Sequence, residues 1–200
     1  WSVHLTAAQA ESPTRLQLAY RNAIVVAPES STLQLFINHV PVLETPVRSS
    51  DDYTPMTVEV PAALLRAGRN EISLRARHRH RTDCTVESTY ALWTEIDSAR
   101  TWLSFDNPAA ATFAGIADLR SLAPDAQGRT RINLVAPAIE HGDISNDVMK
   151  LVQAIALHAN MPNLDFVISR TIADDEAASL RVLVGATEEQ AAVDVARERI

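Results

Sequence analysis

The sequence from Asn70 to His80, NEISLRARHRH, is the longest of several strand-like runs in the first half of the chain. From Val3 to about Phe105, apolar residues recur in short runs separated by Pro, Ser, Asn, Asp and Gly, and no helical period lasts more than two turns. Such runs, bounded by turn residues, are typical of β-strands. Further strands are predicted at Thr14–Tyr20, Leu33–Ile37, Thr57–Val60 and Ala91–Ile96.

Turn residues separate these strands near Pro28–Ser31, Arg48–Asp52 and Ala67–Asn70. Many short strands at this spacing predict a two-sheet sandwich or jelly roll, in which each strand buries alternate side chains. We therefore predict an all-β domain over residues 1–107.

The pattern changes after this domain. Residues 108–130 show little periodic structure and are interpreted as a connection. Beyond them, apolar strands alternating with amphipathic helices predict a parallel α/β layer over residues 131–200, which we expect to be cut before its closing elements. Its strands are predicted at Ile132–Val135, Leu164–Ile168 and Ser179–Val184, and its helices at Ile144–Ala159 and Glu188–Arg199.

The bulk composition excludes several classes of protein. The 200 residues allow two modest domains, and the net charge of -7 argues against a nucleic-acid partner. No segment approaches the roughly 18 apolar residues of a membrane span. The chain begins at Trp1 without a signal peptide, which says nothing against secretion. Cys84, the single cysteine, excludes a disulfide framework and a thiolate metal cluster; we expect it to be a buried, inert thiol rather than a nucleophile.

Residues 77–81 alternate arginine and histidine. In a strand, His78 and His80 project from one face, while Arg77, Arg79 and Arg81 line the other. A His-x-His pair can begin a metal site, but the remaining histidines supply no third ligand at a suitable spacing, so no metal is predicted. The arginines can grip a carboxylate or phosphate, or form a solvated face balanced by acidic neighbours. We interpret residues 77–81 as an interaction face.

Aromatic residues are the candidate sugar contacts, because the C–H patches of a pyranose ring are apolar. Tyr53, in a loop rich in Asp, Ser and Pro, and Trp102, near a strand end, are predicted to contact carbohydrate, whereas Trp93 is predicted to be core. No catalytic carboxylate pair or nucleophile motif is present in the sequence, so no catalytic residue is predicted. The loop 136–145 lacks the glycines of a phosphate cradle; Asp143 or Ser145 is expected to cap the following helix, and no cofactor is predicted.

Four segments carry a family resemblance: RHRHRTDC at 77–84, YALWTEID at 90–97, WSVHLT at 1–6 and YRNAIVVAPESSTLQLFIN at 20–38. Together they resemble the cellulose synthase regulatory subunit family, whose members are the periplasmic, non-catalytic partners of the membrane glucosyltransferase in bacterial cellulose synthase. The likeness is dense from residue 1 to about 125. It implies a jelly-roll, carbohydrate-binding-like domain followed by a flavodoxin-like α/β domain.

The resemblance also implies a function. We expect a periplasmic protein, held at the inner membrane by a C-terminal anchor absent from this chain, that supports the catalytic subunit and guides the nascent β-1,4-glucan made from UDP-glucose. The family also carries a cyclic di-GMP-binding label, but nothing in these residues resembles a motif for that nucleotide. Two alternatives stay open: a carbohydrate-active enzyme with a glycan-binding β domain, and an interaction module recognised through Arg77–Arg81.

Overall fold

The computed structural model of the chain describes residues 1–48, 52–82, 85–107, 113, 115–125, 127–137, 139–140, 142–171 and 180–184. The centre of the predicted turn at Arg48–Asp52, the residue Cys84 and the predicted helix Glu188–Arg199 lie outside these ranges. The chain forms two compact units, Trp1–Ala111 and Thr112–Ile200. The domain limits of 1–107, 108–130 and 131–200 stay predictions.

The first unit consists of two antiparallel sheets. One sheet has the order β1-β6-β3-β4; the other has the order β5-β2-β7, with β8 also paired to β2. This arrangement is consistent with the predicted β-sandwich. The strands are β1 (Ser2–Leu5), β2 (Thr14–Asn22), β3 (Thr32–Ile37), β4 (Val40–Pro46), β5 (Thr54–Val60), β6 (Gly68–Arg77), β7 (Thr94–Ile96) and β8 (Trp102–Phe105); a short helix α1 (Ala7–Ala10) follows β1.

The core of this unit comes from alternate residues of strands in both sheets. Leu33, Leu35 and Ile37 of β3 are all buried, while the residues between them are half-buried. Leu35 shares a cluster with Leu16 of β2 and Val58 of β5, which belong to the other sheet. Each such side chain contributes roughly 1.5–3 kcal/mol when it is removed from water, so this alternation fixes which face of each strand points outward.

A tight hairpin joins β3 to β4. Its two turn residues, Asn38 and His39, have φ angles of 48° and 69°, the left-handed conformation of a type I′ turn. The Asn38 side chain accepts a hydrogen bond from the Glu71 N–H at 2.9 Å and donates to the Leu64 carbonyl at 2.7 Å. The turn is therefore fastened to β6 and to the segment before it.

The second unit contains a parallel sheet of the order β10-β9-β11, formed by β9 (Thr130–Val135), β10 (Leu164–Ser169) and β11 (Leu180–Leu183). The helix α2 (Gly142–Ala159) buries Val148 and Ile155 in a cluster with Ile132 and Leu134 of β9. The helix predicted over 144–159 is thus confirmed. Its predicted cap is wrong, because the helix already begins at Gly142 and residues 143 and 145 lie inside its first turn. None of the helices in the described ranges combines the length and apolar character that a bilayer crossing requires.

Candidate functional site

The outer face of the second sheet of the first unit carries a row of polar and aromatic side chains. Along β2, Leu16, Leu18 and Tyr20 are buried, so the intervening Gln17 and Arg21 point outward. Residues directly opposite each other on antiparallel strands share a face. Trp102 of β8, opposite Gln17, and Glu95 of β7, opposite Arg21, therefore belong to the same outer face.

The Glu95 carboxylate accepts hydrogen bonds from two side chains, Arg21 and Tyr53. Its Oε2 accepts a hydrogen bond from Nε of Arg21 at 2.7 Å and lies 2.7 Å from Nη2 of the same guanidinium. Its Oε1 accepts from the Tyr53 hydroxyl at 2.8 Å. Because each carboxylate oxygen serves a different partner, this one side chain ties β2 to the segment that precedes β5.

Two aromatic rings lie against the Arg21 guanidinium. The Arg21 Cζ lies 4.9 Å from the centre of the Tyr53 ring and 5.9 Å from that of Trp93. The Cζ of Arg100 approaches the Tyr53 ring to 5.8 Å. These distances fall within the range of favourable cation–π contacts. We call Arg21, Tyr53, Trp93, Glu95 and Arg100 the aromatic cluster.

The hydrogen bonds of the aromatic cluster shift its ionisation. The hydrogen bonds from Arg21, and then from Tyr53, hold the pKa of Glu95 below its ordinary value. The same bond to Glu95, followed by burial, raises the pKa of the Tyr53 hydroxyl. Glu95 therefore stays a carboxylate and Tyr53 a neutral phenol at neutral pH, which is the state in which the phenol donates and the carboxylate accepts.

Trp102 forms a separate aromatic position on the same face. Its side chain is half-exposed, at 49%. Gln17, its cross-strand partner, lies four residues from Arg21 on β2, or about 13 Å at about 3.3 Å per residue. Of the two predicted sugar contacts, Tyr53 therefore belongs to the aromatic cluster and Trp102 lies apart from it on the same outer face.

The prediction that Trp93 belongs to the core is wrong, because its side chain is 45% exposed. The predicted strand Ala91–Ile96 starts only at Thr94, and residues 87–91 form a 3₁₀ helix instead. Continued alternation from Ile96 places Trp93 on the same side as Glu95, over Arg21. The alternation of inward and outward residues along β7 therefore predicts that Trp93 is exposed. Its residue type alone predicts burial, because aromatic side chains are usually in the core.

The segment Arg77–Arg81 does not join the aromatic cluster. The strand β6 ends at Arg77, three residues short of the predicted end at His80. Arg77, Arg79 and Arg81 are exposed, whereas His78 and His80 are half-buried, as the alternation predicts. Arg81 donates through Nε to the carbonyls of Ile24 and Val26, at 3.0 and 3.2 Å.

His78 is the link from this segment to the second sheet. Its Nε2 lies 2.7 Å from Oγ1 of Thr94, the neighbour of Glu95 on β7. Thr94 in turn donates to Oδ1 of Asn22, at 2.5 Å. Burial lowers the pKa of His78. The segment therefore has a structural connection to β7, and its role as an interaction face stays a prediction.

The sequence does not predict Arg21, Glu95 and Arg100 as members of the aromatic cluster, and the fourth missed member, Trp93, is predicted to be core. Charged residues are usually found on the solvated surface of a protein, so the residue type alone does not indicate a functional role. The pairing of β2 with β7, which sets Arg21 opposite Glu95, and the pairing of β2 with β5 bring Arg21 and Glu95 to Tyr53. Within the described parts of the chain, no three His, Cys, Asp or Glu side chains gather into a possible metal site.

Two antiparallel sheets that share a buried core are consistent with a β-sandwich, and exposed aromatic rings lie on one of its outer faces. Residues 1–108 match the family model described as cellulose synthase BcsB, first CBM domain. The chain belongs to this family of cellulose synthase proteins, and the resemblance drawn from the sequence is confirmed for its N-terminal portion. No curated protein matches the chain.

Proposed function

We propose that the protein is a non-catalytic periplasmic subunit of the bacterial cellulose synthase complex that supports the membrane glucosyltransferase and guides the nascent β-1,4-glucan during synthesis and export. This subunit is associated with the inner membrane. The observation that carries the proposal is the outer face with two aromatic positions, Trp102 and the Tyr53–Trp93 pair, in a unit that matches a carbohydrate-binding family. Apolar ring faces and nearby hydrogen-bonding groups suit the alternating C–H and hydroxyl surfaces of a glucan.

The charge balance of this face supports an uncharged ligand. Arg15 pairs with Asp106 at 2.7 Å, Arg21 with Glu95 at 2.7 Å, and Arg100 with Asp97 at 3.3 Å. Because each of these arginines has an acidic partner, they add little net positive field that would attract an anionic polymer. The rings lie on an open surface rather than in a deep cleft, so we expect weak, millimolar-range affinity, which allows the chain to slide.

For the second unit we propose a flavodoxin-like fold. Its strand order, β10-β9-β11, corresponds to the 2-1-3 order with which the flavodoxin-like sheet begins. We assign it a scaffolding role beside the catalytic subunit of the synthase. The exposed arginines Arg77 and Arg79 of the first unit are the proposed contact with that catalytic subunit.

Two described carboxyl groups, Glu95 and Asp125, are held in the charged form by their hydrogen bonds. A glycosidase needs a carboxylic acid whose pKa is raised, so that it is protonated at working pH. Among the described carboxyl groups, the shifts found at Glu95 and Asp125 are both downward. At Asp125 the first cause is the hydrogen bond from the Arg129 backbone N–H, which favours the charged form.

A titration with cellohexaose, followed by chemical-shift mapping in NMR spectra, tests ligand and location together. We expect shifts at Trp102, Tyr53 and Trp93, a saturable millimolar-range curve and no hydrolysis products. Trp102→Ala should weaken binding about fivefold, because a ring stacked on a ligand contributes roughly 0.5–1.5 kcal/mol. Trp1→Ala is the control, since Trp1 is also exposed and its backbone pairs with Ile72 in the other sheet. Turnover of the oligosaccharide, or shifts confined to another surface, would contradict the proposal.

A further inference from the structure

Glu95, on the outer face, contacts both an arginine and an aromatic side chain through separate oxygens. Its partners come from different elements: Arg21 lies on β2, and Tyr53 precedes β5. Arg21 in turn lies against the rings of Tyr53 and Trp93. Both rings are thus connected to the Glu95 carboxylate, Tyr53 directly through its hydroxyl and Trp93 through Arg21.

The bond to this carboxylate orients the Tyr53 side chain. The cation–π contact tolerates sliding of the guanidinium over the ring, because it depends weakly on direction, whereas the hydrogen bond from the Tyr53 hydroxyl at 2.8 Å is directional. The hydrogen bond from Arg21 Nε to Oε2, with Nη2 at 2.7 Å from the same oxygen, likewise directs one edge of the guanidinium towards the carboxylate. Without the carboxylate, the Tyr53 ring would keep its cation–π contacts with Arg21 and Arg100. These contacts are less directional, so the orientation of the ring would be less well defined.

We propose that Glu95 is a positioning residue that sets the Tyr53 and Trp93 rings as one glucan-binding subsite, with the Arg21 guanidinium held between them and the carboxylate. This inference rests on the proposed function and assigns a role inside it. Glu95 acts through Tyr53 and Arg21, and the rings make the contact with sugar.

Glutamine at position 95 is the sharpest test. A carboxylate offers two acceptor oxygens, whereas a glutamine side chain offers one acceptor and an NH₂ group that faces the donors of Arg21 or Tyr53. Glu95→Gln therefore keeps the size of the side chain but removes its charge, and the Tyr53 hydroxyl can then no longer donate to a carboxylate: it either loses this bond or accepts from the NH₂ group instead. Asp106→Asn is the matched control, because Asp106 holds Arg15 on the same face at the same 2.7 Å distance, without an aromatic partner among the described residues.

We expect Glu95→Gln to weaken cellohexaose binding by the whole chain about fivefold, the loss expected when one ring is displaced, with an unchanged melting temperature. Asp106→Asn should bind within twofold of the wild type. A spectroscopic readout separates positioning from general damage: the titration of the Tyr53 phenol, followed by NMR with labelled tyrosine and identified through Tyr53→Phe. Its pKa, raised by Glu95, should fall towards the ordinary tyrosine value in Glu95→Gln and stay raised in Asp106→Asn.

The outcomes distinguish this inference from the proposed function. If Tyr53→Ala and Trp93→Ala weaken binding while Glu95→Gln binds as the wild type does, the positioning role is overturned and the glucan-binding face stands. If the wild type itself shows no binding to cellohexaose, both are overturned. An unchanged Tyr53 pKa in Glu95→Gln would also overturn the positioning role, whatever the affinity.

Discussion

At the scale of single residues, His78 shows how a motif that suggests chemistry is used in the fold. Its partner Thr94 donates its hydroxyl proton to Asn22 Oδ1, which can only accept. The Thr94 oxygen must therefore accept from His78, so neutral His78 carries its proton on Nε2. The histidine closes a chain of hydrogen bonds from the end of β6 through β7 to β2.

This arrangement predicts a pH dependence of stability. Burial lowers the pKa of His78 below the ordinary value of 6.5 in the folded protein, so the unfolded chain binds the proton more readily. The contribution of His78 to stability is complete above pH 6.5 and is lost as the pH falls towards the folded-state pKa. Urea unfolding at pH 7.5 and 5.5 should show a lower free energy of unfolding at pH 5.5.

Two variants identify the source of that loss. In His78→Gln, whose amide can still donate to Thr94, the difference between the two pH values should shrink. In His39→Gln it should persist, since the His39 side chain is 82% exposed. A difference that is the same in wild type and His78→Gln would assign the effect to other groups.

Among the secondary-structure elements, the sequence predicts those strands in which apolar and polar residues alternate regularly. It misses a strand that contains prolines. The predictions at Leu33–Ile37 and Thr14–Tyr20 agree with β3 and β2. The strand β4 is not predicted because it contains Pro41 and Pro46, and proline is tolerated there only since β4 lies at a sheet edge. Edge position is a property of the assembled sheet and cannot be read from one strand.

The candidate site is predictable only in part, for the same reason. Tyr53 and Trp102 can be proposed from residue type and turn context. Glu95 and Arg21 are separated by 74 positions, and their contact follows from the pairing of β7 with β2. A side chain whose role depends on a cross-strand partner cannot be recognised as a site residue until the register of the two strands is known.

The centre of β3 should be sensitive to truncation. Leu35 is fully buried, and it packs in a cluster with residues from both sheets. Leu35→Ala should lower the free energy of unfolding by about 2–5 kcal/mol, because the cavity cannot close without moving both sheets. Gln34→Ala, one residue away and facing outward, should change it by less than about 0.5 kcal/mol. Equal effects in urea unfolding would mean that the inward and outward faces of β3 have been wrongly assigned.

At the level of the complete chain, each of the two units has a hydrophobic core of its own, and the outer face belongs to the first unit alone. The residues of the outer face, from Arg15 to Asp106, all belong to the unit Trp1–Ala111, and so does the core that supports them. The unit Thr112–Ile200 has its own cluster, built on β9 and α2. Each unit therefore has the internal contacts needed to hold its own fold.

This division predicts that damage to the second unit leaves the proposed glucan binding intact. Leu119 is 2% exposed and belongs to the cluster around β9, so Leu119→Ala should destabilise that unit by about 2–5 kcal/mol. The cellohexaose affinity of the variant should nevertheless stay within twofold of the wild type, because every proposed contact lies before residue 112. Calorimetry should show one transition lowered and the other unchanged. A parallel fall in affinity and in both transitions would show instead that the units fold and bind as one body.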